Sequence, residues 1–452
     1  EPRGPPPPPP PPPCGSPMRF SPPRSVLGAL LAVLVPLTAV AGPSQSGLTE
    51  PQTLSLAARY REAQHWSMKG IVLLAFGERW HPAGTETIVA ALNDKDPHLR
   101  AYALAELAAT APDHLPCIAS KELIEALIDK VLKEKIDAVE AKGQSLLAKL
   151  FPDAGCESRK QWERYWREHE ETWVQAPWVG PEPERDPNNR QTTAGLMARA
   201  MDLYEAGLDV AIVIDSTGSM QVTIDAAREA VGDIIAILSG VAPKFRLGLV
   251  HYQDFGDMGK VPAKILDPLS NKPEKVEKSL GRLVAGGGGD IPERVEFGLK
   301  VALSEEMEWS RSTNKLLVLI GDAPPHAEAR DEAVRLAKDA REKPFGVDPT
   351  DIAPIERDGR SRANSVVRPF ITAAIAVGET QVEAGTKKAF QEIAQAGGGA
   401  YVDLVTKTSS ASDASRAIAR HIMRLSFGQQ FAAQTEAFVD VYFDFRDCGY
   451  FD

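Results

Sequence analysis

The sequence predicts a multidomain chain: an all-α helical-repeat region followed by an α/β, Rossmann-like doubly wound domain. Three observations predict it. Between residues 52 and 151 apolar residues recur at three- and four-residue steps, the period of a helix face. Short Val-, Ile- and Leu-rich runs at 208–214, 315–320 and 370–377 suit strands buried on both faces. Segments of helical period separate these runs, and such alternation gives a mainly parallel sheet with helices on both faces. The length of 452 residues accommodates two to four domains, and a hydrophobic content of 43% supplies their cores.

Residues 1–17 are mostly proline and do not begin with Met, so they read as an extended, disordered run or a misassigned start. A different pattern opens at Met18. Arg19 and Arg24 precede an uncharged apolar run from Val26 to Gly42, and Ala39-Val40-Ala41 forms a small-x-small cleavage site. Residues 18–41 therefore read as a secretory signal peptide, and the expected location is secreted, periplasmic or otherwise extracytoplasmic. The alternative is an uncleaved membrane anchor, for which the run is short and interrupted by Pro36.

Beyond the signal the chain keeps Cys117, Cys156 and Cys448, with no Cys-x-x-Cys pair, which argues against a zinc or thioredoxin-like site. An oxidising compartment permits a Cys117–Cys156 disulfide; three unpaired thiols are the alternative. A formal net charge of −11 argues against nucleic acid as a partner, because phosphate binding needs a basic footprint.

Residues 52–175 are the predicted helical domain. Leu56, Tyr60 and Ala63, then Ile71, Leu74 and Ala75, mark the first apolar faces. A helix ending at Leu92 is followed by Asp96-Pro97, with Pro97 at the start of the next helix, where its missing amide costs nothing. That helix turns Leu99, Ala103, Leu104 and Leu107 to one side. This helix, Asp-Pro, helix unit, with Arg100 behind the proline, resembles a HEAT repeat. Residues 121–151 look like a second unit and 52–76 could supply a third; stacking of about three is expected for stability. Trp162, Trp166, Trp173 and Trp178 follow, either as an aromatic binding face or as the apolar end of the helical stack.

Residues 176–204 are read as a Pro- and charge-rich linker and 205–428 as the α/β domain. Strand 208–215 leads to a helix at 223–239 and strand 245–252. Residues 260–270 add an edge strand. Helices at 273–284 and 293–305 precede strand 315–321. A helix at 331–342, a surface loop at 343–368, strand 370–377, a helix at 386–396, strand 400–404 and a helix at 412–425 complete it. Residues 429–452 are expected to be an aromatic, acidic tail.

The chemistry gathers at three strand ends. Asp215 leaves the first strand and is followed by Thr217 and Ser219. A loop of four glycines, 286–289, carries Asp290. The strand at 315–321 ends in Asp322, and His326 follows. Ligands of open α/β sheets collect at the carboxyl ends of strands. These hard oxygen groups suit Mg²⁺, which takes few protein ligands and keeps waters.

The three segments, Asp-x-Thr-Gly-Ser-Met, Gly-Gly-Gly-Asp-x-Pro-Glu and Gly-Asp-Ala-Pro-Pro-His, resemble the von Willebrand factor type A domain and its metal-ion-dependent adhesion site. Asp215 and Ser219 match the family's Asp-x-Ser-x-Ser, Thr217 keeps the hydroxyl of the first Ser, and Asp322 matches the last Asp. Asp290 stands where the family carries Thr. The resemblance implies one Mg²⁺, or Mn²⁺, ligated by Thr217 and Ser219. Asp215 and Asp322 would hold metal-bound waters, and Asp290 would ligate or fix another water. Tyr252, Asp254 and His326 sit on the same rim.

The function so implied is metal-dependent binding of a protein partner through an acidic side chain, in an adhesion or scaffold protein without catalysis. The alternatives are a scaffold with a degenerate metal site and a metal-dependent phosphoester hydrolase. The hydrolase reading lacks the second carboxylate of aspartyl-phosphate enzymes, because Thr217 occupies that position. The glycine loop lacks the Lys-Ser/Thr of a nucleotide loop, and there is no Gly-x-Ser-x-Gly elbow.

Overall fold

The computed structural model describes residues 49–76, 81–178, 193–255, 261–288, 291–346, 356–357, 360–361, 367–405 and 411–451. The proline run, the signal segment, residues 179–192 of the linker, most of the 343–368 loop and Asp290 lie outside the described residues.

Local rules set the helix starts in the N-terminal region. Helix α1 (Glu50–Glu62) begins with a reciprocal capping box between Thr49 and Gln52. Helix α2 (Trp66–Phe76) follows, then α3 (Thr85–Asn93) and α4 (Pro97–Ala109). Asp96 caps α4 by accepting from the His98 amide at 3.0 Å, with Pro97 in the first turn as expected. A short turn α5 (Leu115–Ile118) precedes α6 (Lys121–Asp129), α7 (Asp137–Leu150) and α8 (Arg159–His169). Trp162 and Trp166 are buried, and the Trp173 indole donates to the Ala119 carbonyl at 3.0 Å. These tryptophans close the helical core rather than forming an exposed face. Cys117, Cys156 and Cys448 are free thiols.

Part of the segment read as linker is helical. Helix α9 (Thr193–Ala206) buries Leu196, Met197, Ala200 and Leu203. Its Arg199 donates to the Ser426 carbonyl and to Asn314, and Asp202 pairs with Arg368. The α/β elements then follow: β1 (Leu208–Asp215), α10 (Gln221–Val241), β2 (Phe245–Tyr252), β3 (Ala263–Ser270), α11 (Glu274–Leu280), α12 (Val295–Ala302), β4 (Asn314–Gly321), α13 (Arg330–Glu342), β5 (Phe370–Gly378), α14 (Ala384–Ala396), β6 (Gly398–Val405) and α15 (Ala411–Phe427).

The sheet order is β3-β2-β1-β4-β5-β6, with only β3 antiparallel. Every residue of β1 is buried. Val210, Ile212 and Ile214 belong to the apolar layer that includes Ile224 and Ile234 of α10 and Ile418 and Ile422 of α15. Ala211 and Val213 belong to the other, with Leu299 of α12, Ala337 of α13 and Phe390 of α14. Alternate residues of a strand face opposite ways, so the unbroken apolar run 210–214 suits the centre of the sheet. The connection from β1 runs to β2 on one side, while β4 lies on the other. The strand order therefore reverses at β1, opening a crevice at its carboxyl end.

The first apolar layer is continuous with the core of the N-terminal helices, and Pro43–Asp452 form one compact unit. The segment expected as a tail contributes to this continuity. It forms α16 (Ala432–Arg446), which buries Phe438, Val439, Tyr442, Phe443 and Phe445. The Tyr102 hydroxyl of α4 donates to the Phe438 carbonyl at 2.9 Å. Trp66 stacks on His98 at 4.1 Å and on Tyr442 at 5.8 Å. From α10, Asp233 accepts from Ser415 of α15 at 3.1 Å and Tyr442 of α16 at 3.0 Å, and pairs with Arg446.

Asp233 is buried, and among the described residues Arg446 is its only cationic partner. Removing one member of a buried pair leaves an uncompensated charge. Arg446→Ala should therefore lower unfolding free energy by about 3 kcal/mol, measured by urea denaturation. A loss below about 0.5 kcal/mol would place the pair with ordinary surface ion pairs.

Candidate functional site

Asp215 is the last residue of β1, in register with Tyr252 on β2. On the other side of Asp215, Gly321 ends β4, next to Asp322. Asp215 Oδ1 accepts two hydrogen bonds from Thr217, from its amide at 2.8 Å and its hydroxyl at 2.8 Å. Asp215 Oδ2 is buried and has no hydrogen-bond partner among the described residues. Thr217 spends its hydroxyl proton on Asp215, which leaves oxygen lone pairs for a cation. Thr217 is buried, whereas Ser219 is exposed at the open side. Asp322 is half-buried, and its backbone carbonyl is held by the Thr386 hydroxyl at 2.9 Å.

The glycine loop is fastened to the β1 loop by backbone bonds. The Gly286 amide donates to the Ser216 carbonyl at 3.0 Å, and the Gly218 amide to the Gly287 carbonyl at 3.3 Å. Gly288 has φ +78°, and a Cβ there would lie 3.0 Å from Thr217 Cβ, so both conformation and space call for glycine.

Gln253, just past β2, donates to the Ser216 carbonyl at 2.8 Å and the Gly286 carbonyl at 2.6 Å, clasping both loops from below. Sequence reasoning missed Gln253, Gln221, Ser216 and Thr386. Gln221 accepts from the Ala285 amide at 2.9 Å. No motif marks these residues; the only sequence signal was their position one to three residues from strand ends or helix starts.

The structure brings Asp215 and Thr217 into direct contact and places Ser219 on the adjoining turn, with Asp322 near enough for its charge to act on Asp215. Burial, and then the Asp322 charge, push the Asp215 carboxyl up to about 7 against the Thr217 hydrogen bonds. Among the described residues no three His, Cys, Asp or Glu side chains could hold a metal ion. The described donor set is two carboxylates and two hydroxyls, which matches a cation that keeps several waters. The orphaned Asp215 oxygen points the same way, since buried carboxylate oxygens rarely lack a partner.

The rim residues are engaged with each other. His326 Nε2 lies 3.1 Å from Asp254, and Asp254 pairs with Arg294 at 3.3 Å, which also meets Glu296 at 3.3 Å. Burial, then the Lys264 charge, lower the His251 pKa to about 4, so its ring is neutral beside the Ser216 hydroxyl at 3.0 Å.

Comparison with known proteins decides the kind of domain. A family model described as von Willebrand factor A domain matches residues 209–406. The chain carries a von Willebrand factor A domain. A putative ariadne-like RING finger protein of Acanthamoeba polyphaga mimivirus is 28% identical over 136 residues, 29% of this chain. The matched part spans only 13% of that relative's length.

Among solved structures, the chain is similar to the conserved hypothetical protein BatB from Bacteroides thetaiotaomicron. Identity is 15% and the TM-score 0.34, covering 49% of this chain and all of that one. It is also similar to the pilus adhesin SpaC from Lactobacillus rhamnosus GG, at 13% identity and TM-score 0.31, covering 51% and 30%. Among the described residues no helix is long and apolar enough to cross a membrane.

The raised Asp215 pKa has a definite consequence for the cation-free von Willebrand domain. The folded value of about 7 exceeds the ordinary 3.8, so the native state binds this proton more tightly than the unfolded chain. The contribution is full below about pH 4 and is lost as pH rises through about 7. Asp215→Asn removes that loss. In EDTA the variant should melt about 5 °C above wild type at pH 8, the two converging near pH 4. Parallel melting curves across that range would contradict the buried, cation-free carboxylate described above.

Proposed function

We propose that this chain is an exported, non-enzymatic protein-binding protein whose von Willebrand domain uses Mg²⁺, or Mn²⁺, to recognise an acidic side chain of a protein partner. One observation carries the reading: a fully buried Asp215 oxygen without a partner among the described residues, beside a second acid, at the sheet's topological switch point. A divalent cation would satisfy that oxygen through its waters and separate the two negative charges. Thr217 and Ser219 would ligate it, and Asp215 and Asp322 would hold its waters. Asp290 is proposed to join them from the glycine loop. The cation would supply the positive centre that a partner's carboxylate completes.

Members of the von Willebrand A family serve broadly as adhesion and scaffold modules, which favours binding over catalysis. The rim supports the same choice. His326, the one nearby base that sequence suggested for a hydrolase, is held by Asp254, itself paired with Arg294. Export rests on the signal-like residues 18–41. The helical region is proposed to be a HEAT-like stack. In support, Arg100 pairs with Glu134 at 3.0 Å and donates to Tyr450 at 2.9 Å and to the Asp94 carbonyl, tying α4 to the turn before α7.

Calorimetry of the purified chain should show one Mg²⁺ or Mn²⁺ bound, with Ca²⁺ weaker because it wants more protein oxygens. A partner captured from extracellular proteins should be released by EDTA. No heat with millimolar Mg²⁺ or Mn²⁺ would refute the metal site. Turnover of a phosphoester would replace binding by hydrolysis.

A further inference from the structure

We propose that Tyr252 is a positioning residue of this site: its hydroxyl donates the hydrogen bond that fixes the Asp215 carboxylate once a cation and its waters are held. The inference rests on the metal reading above.

Tyr252 ends β2 directly beside Asp215 in the parallel register. It is fully buried, and its hydroxyl has no hydrogen-bond partner among the described residues. Among the described residues, two fully buried oxygens without partners therefore lie at one strand edge, Tyr252 Oη and Asp215 Oδ2. They are complementary, one a donor and the other an acceptor. Gly321 explains how the phenol reaches this place. A Cβ at 321 would lie 2.4 Å from Tyr252 Oη and 3.4 Å from Asp215 Cβ. The phenol oxygen occupies the space that any other residue at 321 would fill, within about 6 Å of Asp215 Cβ.

An ordinary phenol titrates at about 10, so at neutral pH it keeps its proton and meets the carboxylate as a donor. Leaving two such groups unmatched is costly, and buried orphans of this kind mark functional places. The ring below the hydroxyl has a separate task. A Cβ at Gly298 would lie 2.9 Å from Tyr252 Cδ1, so the ring packs against α12.

Tyr252→Phe keeps the ring and deletes the hydroxyl. Calorimetry should show Mg²⁺ and Mn²⁺ binding about tenfold weaker than wild type, the usual scale for partners that orient metal ligands. The spin-resonance spectrum of bound Mn²⁺ should change. In EDTA the variant should melt at or above the wild-type temperature, because an unmatched buried hydroxyl has gone. Equal cation affinity in the two proteins, with a lower melting temperature for the variant, would make Tyr252 a core residue only and overturn the inference. If wild type binds neither cation, the metal reading fails, and this inference with it.

Discussion

Asp215 is a carboxylate delivered to the end of a strand from which water is excluded on both faces. An isolated charge in such surroundings is expensive, and the structure meets only half of the requirement. One oxygen takes both donors of Thr217, and the other has no partner among the described residues. The neighbouring strand ends at Gly321, whose missing side chain leaves room for the Tyr252 phenol, and Asp322 adds a second negative charge instead of a counter-charge. These choices oppose stability taken alone. They are coherent if a cation is the missing partner.

The sheet makes that arrangement rigid. The strand order reverses at β1, so its loop and those after β2 and β4 share one edge. The Gln253 side-chain amide and the backbone of the glycine loop then fix the β1 turn. The helical region leans on the same frame from the far layer. Helix α10, which begins at this edge, carries Asp233 to α15 and α16. A single apolar layer runs from β1 into the N-terminal helices. The helical module and the von Willebrand domain are thus joined through packing as well as through the chain.

Much of this was legible in the sequence, for local reasons. The run 210–214 is wholly apolar and rich in Val and Ile before the terminal Asp215, and Thr217 and Ser219 follow at fixed spacing. Asp96-Pro97 marked the start of α4 because capping and proline chemistry are local. What could not be read depends on distant partners. Asp233 and Arg446 are 213 residues apart and neither carries a motif. Helix α16 was hidden because its aromatic residues gain meaning only against Trp66 and Tyr102. Helix α9 follows a proline-rich stretch that masks its apolar face. Tyr252 was visible as a rim residue, but its lack of a partner is a property of the folded neighbourhood. Asp290 was legible only as a departure from a family pattern, and its part in the site remains a proposal.

The central claim is that a divalent cation completes Asp215. The most direct measurement is anomalous diffraction from crystals of the intact chain grown with Mn²⁺. The account predicts one anomalous peak at the carboxyl edge of β1 and β4, with Thr217 and Ser219 oxygens in its coordination shell and water bridging to Asp215 and Asp322. A Mn²⁺-saturated crystal with no peak there would contradict it.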